Sequence, residues 1–526
     1  MACVRFALSG AGILLVLSPA AVALAQTTCY VDSVAGDDTK SGLSEDEATQ
    51  SRNKIASTCT TVKFKRGSVF EVPAGEQIVT MAYSSKLKTL TNYGDPSLPL
   101  PKFWKTRSPN NGGMIQAYQG GMTIDGLSLS GSQSDAQMSN LGQGICIMAG
   151  SNTKIINNEI FDCDIGMMLT GTGSLVQNNY VHDLHVSVDA APGVDPNVVG
   201  GAEGIFVNGS NNEVAYNTFI NCSNYAEWTG GSCDGGATEV TVSAGGTLSG
   251  VKIHHNFGYN NCGFFEISSG FGETRGVFSD SEFYNNISID SGWLSLLQVA
   301  NTDMHNIRWE NNTIVQHKGS TNAGILVIVY TAVASGMSGG QLYEDSIYWT
   351  NNLIVGDGVN LMNPDSRIVQ TTNLLIKDAS KQDPGFVNLK GSTAADYDLV
   401  AGSPAINAGT VLANRTLDFA NRAIPDSSGL PDIGAYEYNS TQVTPPPTTN
   451  GGSSGSTGGS RGGTGGAAGV PGAGGAAGGA AGSGATTVNE GGGTSGCSCR
   501  LGPTDRASLV WVLALGLAVL CARRRR

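Results

Sequence analysis

The chain has 526 residues, of which 14% are charged, and its formal net charge at pH 7 is -13. Such a composition does not supply the basic surface that nucleic-acid binding requires, so we do not expect nucleic acid as a partner. Neutral polymers and cations stay acceptable partners. The length allows either several ordinary domains or one unusually large all-β domain.

The N-terminal stretch has the layout of a secretory signal peptide. Arg5 precedes the apolar run "ALSGAGILLVLSPAAV", and the small residues "ALA" end at Ala25, before Gln26. A charged start, an apolar middle and small residues at the cleavage point are typical of export signals. We therefore expect residues 1–25 to be removed and the mature protein to be exported.

The body of the chain carries an odd number of cysteines: Cys29, Cys59, Cys146, Cys163, Cys222, Cys233 and Cys262. In an oxidising compartment at least one of them stays free or pairs elsewhere. Sequence proximity favours the pairs Cys29–Cys59 and Cys222–Cys233.

A repeat becomes visible when short segments such as "KIINNEI", "KIHHNFG" and "RWENNTI" are aligned on one asparagine. Each of these asparagines follows an apolar residue three positions earlier, and they recur at intervals of 21 to 40 residues. This pattern predicts coils of short parallel strands, with loop insertions on one side. Stacked asparagine amides would form a buried hydrogen-bonded ladder. The predicted ladder consists of Asn158, Asn179, Asn217, Asn256, Asn286, Asn312 and Asn352.

Two histidines, His254 and His255, stand directly before the ladder residue Asn256. Successive side chains of a strand point to opposite sides, so the two rings are not expected to bind one metal. We interpret the stretch as one rung of the scaffold.

These repeats, with "YVDSVAGDDTKSGLSEDEA" (30–48), "VKFKRGSVF" (62–70) and "MTIDGLSLSG" (122–131), resemble the right-handed parallel β-helix, or pectin-lyase-like, superfamily. "PDIGAYEY" (431–438) is similar to the closing segment of many exported bacterial members. The resemblance implies an all-β fold with three strands per coil. Residues 26–113 would lead into the β-helix, 114–380 would form the repeats and 381–440 would close it. No single activity is implied, since lyases, hydrolases, epimerases and adhesins share this fold.

In that superfamily the working surface is usually the outer face of the strand before the ladder strand. Alternation along these strands predicts an inward set of Ile205, Val207, Val240, Val242, Phe265 and Ile267. The predicted outward set is Cys146, Met168, Phe206, Glu239, Thr241, Phe264, Glu266 and Gln298, with Glu203 and Asp234 at the loop edge.

Two outward carboxylates are the candidate catalytic pair. Glu239 and Glu266 are expected on neighbouring coils, offset by two residues, with backbone positions about 8 Å apart. Flexible side chains could then span either carboxylate separation used by glycosidases. Glu239 and Glu266 are therefore predicted to be catalytic, with Asp234 or Glu203 assisting; a solvated acidic face is the alternative.

Two long loops, 186–203 and 223–236, enter these strands from one edge and could form the walls of a groove. The second loop carries Tyr225 and Trp228, whose rings suit stacking on sugars. The predicted substrate-binding residues are Trp228, Tyr225, Phe264, Arg275 and His254.

A lyase mechanism is the competing chemistry, because it needs a cation and a base. Ca²⁺ could be held by Glu203, Asp234 and Glu239, with Lys252 or His254 as base. Alginate and chondroitin lyases of this fold resemble the segment at Glu239, yet they place a lysine soon after it and an arginine on the next coil. Here residues 242–244 are Val, Ser and Ala, which favours a hydrolase over a lyase.

The C-terminal part changes composition twice. Residues 441–495 are rich in Gly, Ser, Ala and Pro, which predicts a flexible linker. Residues 496–526 hold "GCSC", an apolar run at 507–522 that could anchor in a membrane, and four arginines. This tail resembles the MYXO-CTERM surface-sorting signals and implies attachment to the cell envelope, or release after processing.

Three functions follow from the sequence. The favoured one is a surface enzyme that degrades polysaccharide. The alternatives are a carbohydrate-binding or adhesion module that uses the same groove, and a stiff spacer at the cell envelope.

Overall fold

The computed structural model describes residues 27–73, 75–79, 86–105, 113–131, 145–184, 202–223, 235–243, 245–269, 275–291, 293–298, 302–317, 327–330, 346–358 and 368–443. The predicted signal peptide and C-terminal tail lie outside these ranges, as does the predicted linker after residue 443. Among the described residues, no helix has the length and apolar character needed to cross a bilayer.

Three sheets of parallel strands build the described part of the chain, and each coil passes from one sheet to the next. The first sheet consists of Thr28–Val31, Thr61–Lys65, Thr89–Tyr93, Thr123–Asp125, Lys154–Ile156, Leu175–Gln177, Glu213–Ala215, Thr247–Ser249, Lys252–His254, Gly276–Tyr284, Thr302–Glu310, Ile347–Thr350 and Val369–Thr371. The second consists of Val69–Val72, Lys102–Lys105, Ser128–Gly131, Glu159–Phe161, Tyr180–Leu184, Thr218–Cys222, Phe257–Tyr259, Ile287–Ile289, Thr313–His317, Leu353–Asp357 and Leu374–Ile376. The third consists of Ile115–Ala117, Ile145–Ala149, Ile165–Leu169, Ala202–Val207, Gly235–Val242, Gly263–Ser269, Trp293–Gln298 and Val327–Tyr330.

Helical structure in the described residues is limited to short 3-10 turns: Glu45–Glu47, Arg52–Lys54 and Ala394–Tyr397. The molecule is therefore an all-β parallel β-helix, which confirms the predicted fold class.

The asparagine ladder is confirmed. Asn256 illustrates the bonding, because its Nδ2 donates to Asn286 Oδ1 at 3.0 Å while its own Oδ1 accepts from Nδ2 of Asn217 at 3.0 Å. The ladder extends one rung beyond the predicted set, since Asn352 donates to Asn373 at 2.9 Å. Each ladder residue follows a residue in the left-handed conformation: Asn157, Asn178, Tyr216, His255, Asn285, Asn311, Asn351 and Thr372. This turn bends the chain from the first sheet into the second.

The inward side chains fill the space between the sheets. All six residues predicted to face inward are buried. Aromatic rings stack along the axis, as between Phe283 and Trp309, whose centroids lie 4.7 Å apart. Burying apolar side chains from all three sheets in one core is the main stabilising contribution.

Irregular chain packs against the β-helix in both its N-terminal and its C-terminal part. At the start, the buried guanidinium of Arg52 donates to the carbonyls of Glu71 and Gln77. At the end, residues 378–443 pack their apolar side chains on the outer face of the second sheet, where Ile287 and Val315 are buried with Tyr397 and Ile433.

The disulfides agree with prediction in one of two cases. Cys29–Cys59 is confirmed, and it links the first-sheet strand Thr28–Val31 to the residues just before the neighbouring strand Thr61–Lys65. The predicted Cys222–Cys233 pair is wrong, because Cys222 is a buried free thiol. Instead Cys146 is bonded to Cys163. Closeness in sequence misled here because a β-helix brings together cysteines one coil apart.

Candidate active site

The outer face of the third sheet carries the candidate site. Glu239 and Glu266 are direct register partners on neighbouring strands, so the predicted offset of two residues is wrong. Thr238 pairs with Phe265, so the strand Gly263–Ser269 is shifted by two residues relative to the predicted alignment. The two glutamates therefore stand side by side, at the roughly 4.8 Å spacing of neighbouring strands.

Phe264 does not belong to this surface. Its ring is 1% exposed and packs edge-on against Phe265, which in turn contacts Phe283 in the core. The Phe264 ring lies directly over Gly258 of the second sheet, where a Cβ atom would come within 2.4 Å of it. Both phenylalanines are inward, so simple alternation fails here and the predicted substrate contact at Phe264 is wrong.

Other members of the predicted outward set also differ from expectation. Cys146 is buried in its disulfide, and Met168 is buried as well. Phe206, Glu239 and Thr241 are partly exposed, as an outer face requires. The side chain of Gln298 lies outside the described residues.

Glu203 joins the two glutamates. One carboxylate oxygen from each of Glu203, Glu239 and Glu266 lies within 4.8 Å of the others. Glu203 is only 5% exposed, whereas its two partners are partly exposed. Its register partner on the next strand is Gly236, which packs against Gly263, so no side chain separates Glu203 from the pair at these positions.

Three carboxylates at this distance repel one another when all are ionised. The repulsion is relieved when one of them takes up a proton or when a cation binds among them. Either outcome gives chemistry that a polysaccharide-acting enzyme needs, namely a general acid beside a carboxylate or a site for a divalent cation.

The oxygens fit a calcium site in spacing. Oxygens bound to one Ca²⁺ can lie at most about 5 Å apart, twice the metal–oxygen distance. The glutamate oxygens fall within that limit. The predicted ligand set was Glu203, Asp234 and Glu239. In the structure Glu266 lies close to Glu203 and Glu239. Asp234 lies outside the described residues.

Hydroxyl groups fix one of the carboxylates. Ser268 Oγ lies 2.5 Å and Thr241 Oγ1 2.8 Å from Oε1 of Glu239. Thr241 was among the residues predicted to face outward, without a role, and Ser268 was not among them. The correct strand register would have identified Ser268, because it pairs with Thr241 just as Glu266 pairs with Glu239.

His254 and Lys252 lie on a different sheet from the three glutamates. They belong to the first-sheet strand Lys252–His254, so the predicted roles of His254 as a substrate contact or base and of Lys252 as a base do not fit the structure. His254 is buried, stacks on Tyr284 at 4.6 Å and contacts Glu213.

Strand alternation predicted that His254 and His255 point to opposite sides, and this prediction is wrong. Their Nδ1 atoms are 2.7 Å apart, because His255 has a φ of 54° and no longer follows the strand geometry. Nε2 of His255 lies 3.0 Å from the carbonyl oxygen of Asp418. The pair therefore connects the first sheet to the closing segment.

Arg275 precedes the first-sheet strand Gly276–Tyr284, and its Nη1 lies 3.5 Å from Asp303. Trp228 and Tyr225, the predicted sugar-stacking residues, lie outside the described residues. Their roles remain predictions.

Comparisons with known proteins concern the fold. A family model described as a right handed beta helix region matches residues 104–234. Similar solved structures include the pectate lyase Pel9A, with 15% identity, coverage of 78% of this chain and 96% of that chain, and a TM-score of 0.43. A rhamnogalacturonan lyase has 13% identity, 74% and 97% coverage and a TM-score of 0.42. XylC in complex with xylose has 10% identity, 79% and 99% coverage and a TM-score of 0.41. No curated protein sequence matches the chain.

The chain thus has the right-handed parallel β-helix fold. Its candidate site is the group of three glutamates on the outer face of the third sheet.

Proposed function

We propose that the protein is an exported glycoside hydrolase that cleaves polysaccharide at the third sheet. The clustering of three glutamate oxygens within 4.8 Å carries this proposal. Within the described strands of the third sheet no Lys, Arg or His occurs. The lysine or histidine base considered for β-elimination is therefore not offered by these strands, which supports a hydrolase over a lyase.

The spacing favours hydrolysis with retention of anomeric configuration. Retaining enzymes place their two carboxyl groups about 5 to 5.5 Å apart, while inverting enzymes leave about 6.5 to 9.5 Å for a water molecule. One oxygen of Glu239 lies within 4.8 Å of one oxygen of Glu266, below the range of inverting enzymes. One of them would attack the anomeric carbon as the leaving-group oxygen receives a proton from the other, and water would then release the sugar. Glu203 would raise the proton affinity of the acid by its negative charge, and Asp234 remains an assisting candidate.

Substrate would lie along the third sheet between the loops at its edge. Tyr225 and Trp228 are the proposed stacking residues in one of these loops. Export through residues 1–25 and attachment or release through residues 496–526 are part of the same proposal. Comparing the protein content of envelope and medium, with and without residues 496–526, tests the second of these.

The experiment measures new reducing ends from polysaccharides with Glu239→Gln and Glu266→Gln. Each change should lower the rate by about a hundredfold or more, while circular dichroism and the melting temperature stay near the wild type. Glu71→Gln removes an exposed carboxylate from the second sheet and serves as the control. Turnover that survives both glutamate changes would refute the proposed site.

A second candidate function is cation-dependent binding or lyase action at the same site, favoured by the calcium-like spacing of the oxygens. Glu203, Glu239 and Glu266 would hold the ion, which would neutralise an acidic sugar. Calorimetric titration of Ca²⁺ into wild type and Glu203→Gln tests this, and equal heats in the two proteins would exclude the site.

A further inference from the structure

A row of apolar side chains on the third sheet leads directly to the glutamate pair. Met148 pairs with Met168, which in turn pairs with Phe206 on the following coil. Phe206 pairs with Glu239, the register partner of Glu266. Successive members stand one coil apart, at about 4.8 Å. The candidate site therefore continues toward the N-terminal coils as an apolar row, which consists of Met148, Met168 and Phe206.

The apolar row offers surface at its two ends. Phe206 and Met148 are partly exposed, whereas Met168 between them is only 7% exposed. Beyond Met148, the side chain of Tyr118 is 47% exposed, and its hydroxyl lies 3.0 Å from Sδ of Met148. Aromatic rings and thioethers both favour contact with the C–H face of a ring-shaped ligand. Phe206, next to Glu239, is the member placed to make such a contact beside the glutamates.

Hydrogen-bonding side chains accompany the apolar row. Thr170 and Asn208 come two residues after Met168 and Phe206, so alternation places them on the same outer face. Thr170 is exposed and Asn208 is partly exposed. Nδ2 of Asn208 donates to the carbonyl oxygen of Thr241 at 2.8 Å, which fixes the position of the amide. A sugar has the matching character, since its C–H faces are apolar and its rim carries hydroxyl groups.

The charge at the end of the apolar row disfavours an acidic ligand. Glu203, Glu239 and Glu266 bring three carboxylates together there. The described strands of the third sheet contain no Lys, Arg or His that could offset them. A chain of uronic acids would be repelled by a surface of its own sign. An uncharged sugar chain meets no such repulsion.

We propose that the apolar row binds an uncharged polysaccharide that lies along the axis of the β-helix. One sugar ring stacks on Phe206, with Asn208 within reach of its hydroxyl groups, and the next sugar lies over the glutamate pair. This inference rests on the proposed function, because it assigns the substrate class and the direction of the chain at the same site.

The test measures binding separately from turnover. The full chain carrying Glu239→Gln is run through native gels without calcium that contain galactomannan or β-glucan as neutral polysaccharides, or alginate or polygalacturonate as acidic ones. Phe206→Ala removes the ring in this background, and Phe206→Tyr keeps it. Tyr180→Ala is the matched control, because it removes an exposed ring from the second sheet. Melting temperatures confirm that the variants fold.

Phe206→Ala should weaken the binding of a neutral polysaccharide by about tenfold, while Phe206→Tyr and Tyr180→Ala should bind as their parent does. Acidic polysaccharides should bind about tenfold more weakly than neutral ones, or less. In the protein that retains Glu239, Phe206→Ala should raise KM with little change in kcat.

Three results would overturn the inference, even if the wild type cleaves glycan. They are equal binding by Phe206→Ala and its parent, binding of acidic polysaccharide as tight as that of neutral polysaccharide, and no binding of either neutral polysaccharide. If Phe206→Ala loses binding while the wild type cleaves no glycan, the apolar row stands as a binding surface and the proposed hydrolase fails.

Discussion

His255 occupies a turn position that asparagine fills in most neighbouring coils. Burial lowers the pKa of His255 well below its usual value, and the neighbouring His254 lowers it further. Burial also lowers the pKa of His254. The ring stacks on Tyr216 and faces the Asp418 carbonyl, while the charged Arg415 also disfavours protonation. The neutral ring is therefore part of the folded structure.

This burial makes stability depend on pH. Since the folded pKa lies below the value of about 6.5 for an exposed histidine, the unfolded chain binds more protons in acid, and stability is lost as the pH falls below about 6.5. His255→Asn suits the left-handed turn and removes the titrating group. We expect wild type to melt above the variant near neutral pH, with a difference that narrows as the pH is lowered.

A second histidine, His182, serves as a control, because its contribution to the melting temperature should depend on pH in the opposite direction. Burial lowers the pKa of His182, but its contacts with Glu159 and Asp183 raise it overall. Stability from this ring is present in acid and is lost as the pH rises through the folded pKa. The difference between wild type and His182→Gln should therefore widen in acid. A pH-independent difference for His255→Asn would contradict the account.

The asparagine ladder stabilises the scaffold through buried hydrogen bonds. The amide of Asn256 donates to the Val214 carbonyl and to Asn286, and its carbonyl accepts from the backbone and side chain of Asn217. Removing it leaves several buried groups without partners. Such groups cost more than the bond itself contributes.

Asn256→Ala should lower the free energy of unfolding by about 2 to 4 kcal/mol, measured by urea denaturation. Asn260→Gly is the matched control, because Asn260 is an exposed left-handed turn residue and its side-chain bond to Asn221 is exposed. The control should change stability by less than about 1 kcal/mol. Equal losses in the two variants would show that the ladder bonds do not carry the effect.

The strand pattern predicted the elements better than their register. Seven ladder asparagines and six inward residues were identified because each repeats with the coil. The positions of Phe264 and Glu266 were predicted wrongly, because two adjacent buried phenylalanines break the alternation on which the alignment depended. Glu203, Glu239 and Glu266 were therefore predicted as site residues, but the arrangement of their side chains was not predicted.

At the scale of the whole molecule, the closing segment is fastened to the β-helix by a buried ion pair. Nη2 of Arg415 lies 2.7 Å from Glu310 and 3.4 Å from Glu282, with Arg415 and Glu310 almost fully buried. The guanidinium also stacks over Tyr284 at 3.7 Å. Coil packing alone gave no hint of this contact, because Arg415 is distant in sequence from its partners.

Arg415→Met should destabilise the protein by about 3 to 5 kcal/mol, because it leaves Glu310 buried without its closest cation. Arg308→Met is the control: Arg308 also approaches Glu310, at 3.6 Å, but its side chain is exposed, so the loss should be about 1 kcal/mol or less. Urea denaturation measures both. Similar losses would mean that the buried pair does not fasten the segment.

The most direct test of the central claim incubates the protein with acidic and neutral polysaccharides, with and without calcium. Both new reducing ends and the ultraviolet absorbance of unsaturated products are recorded. We predict reducing ends without absorbance, independent of calcium and lost in Glu239→Gln. An absorbance rise that needs calcium would indicate β-elimination, and no products from any polysaccharide would contradict an enzymatic role for the third-sheet glutamates.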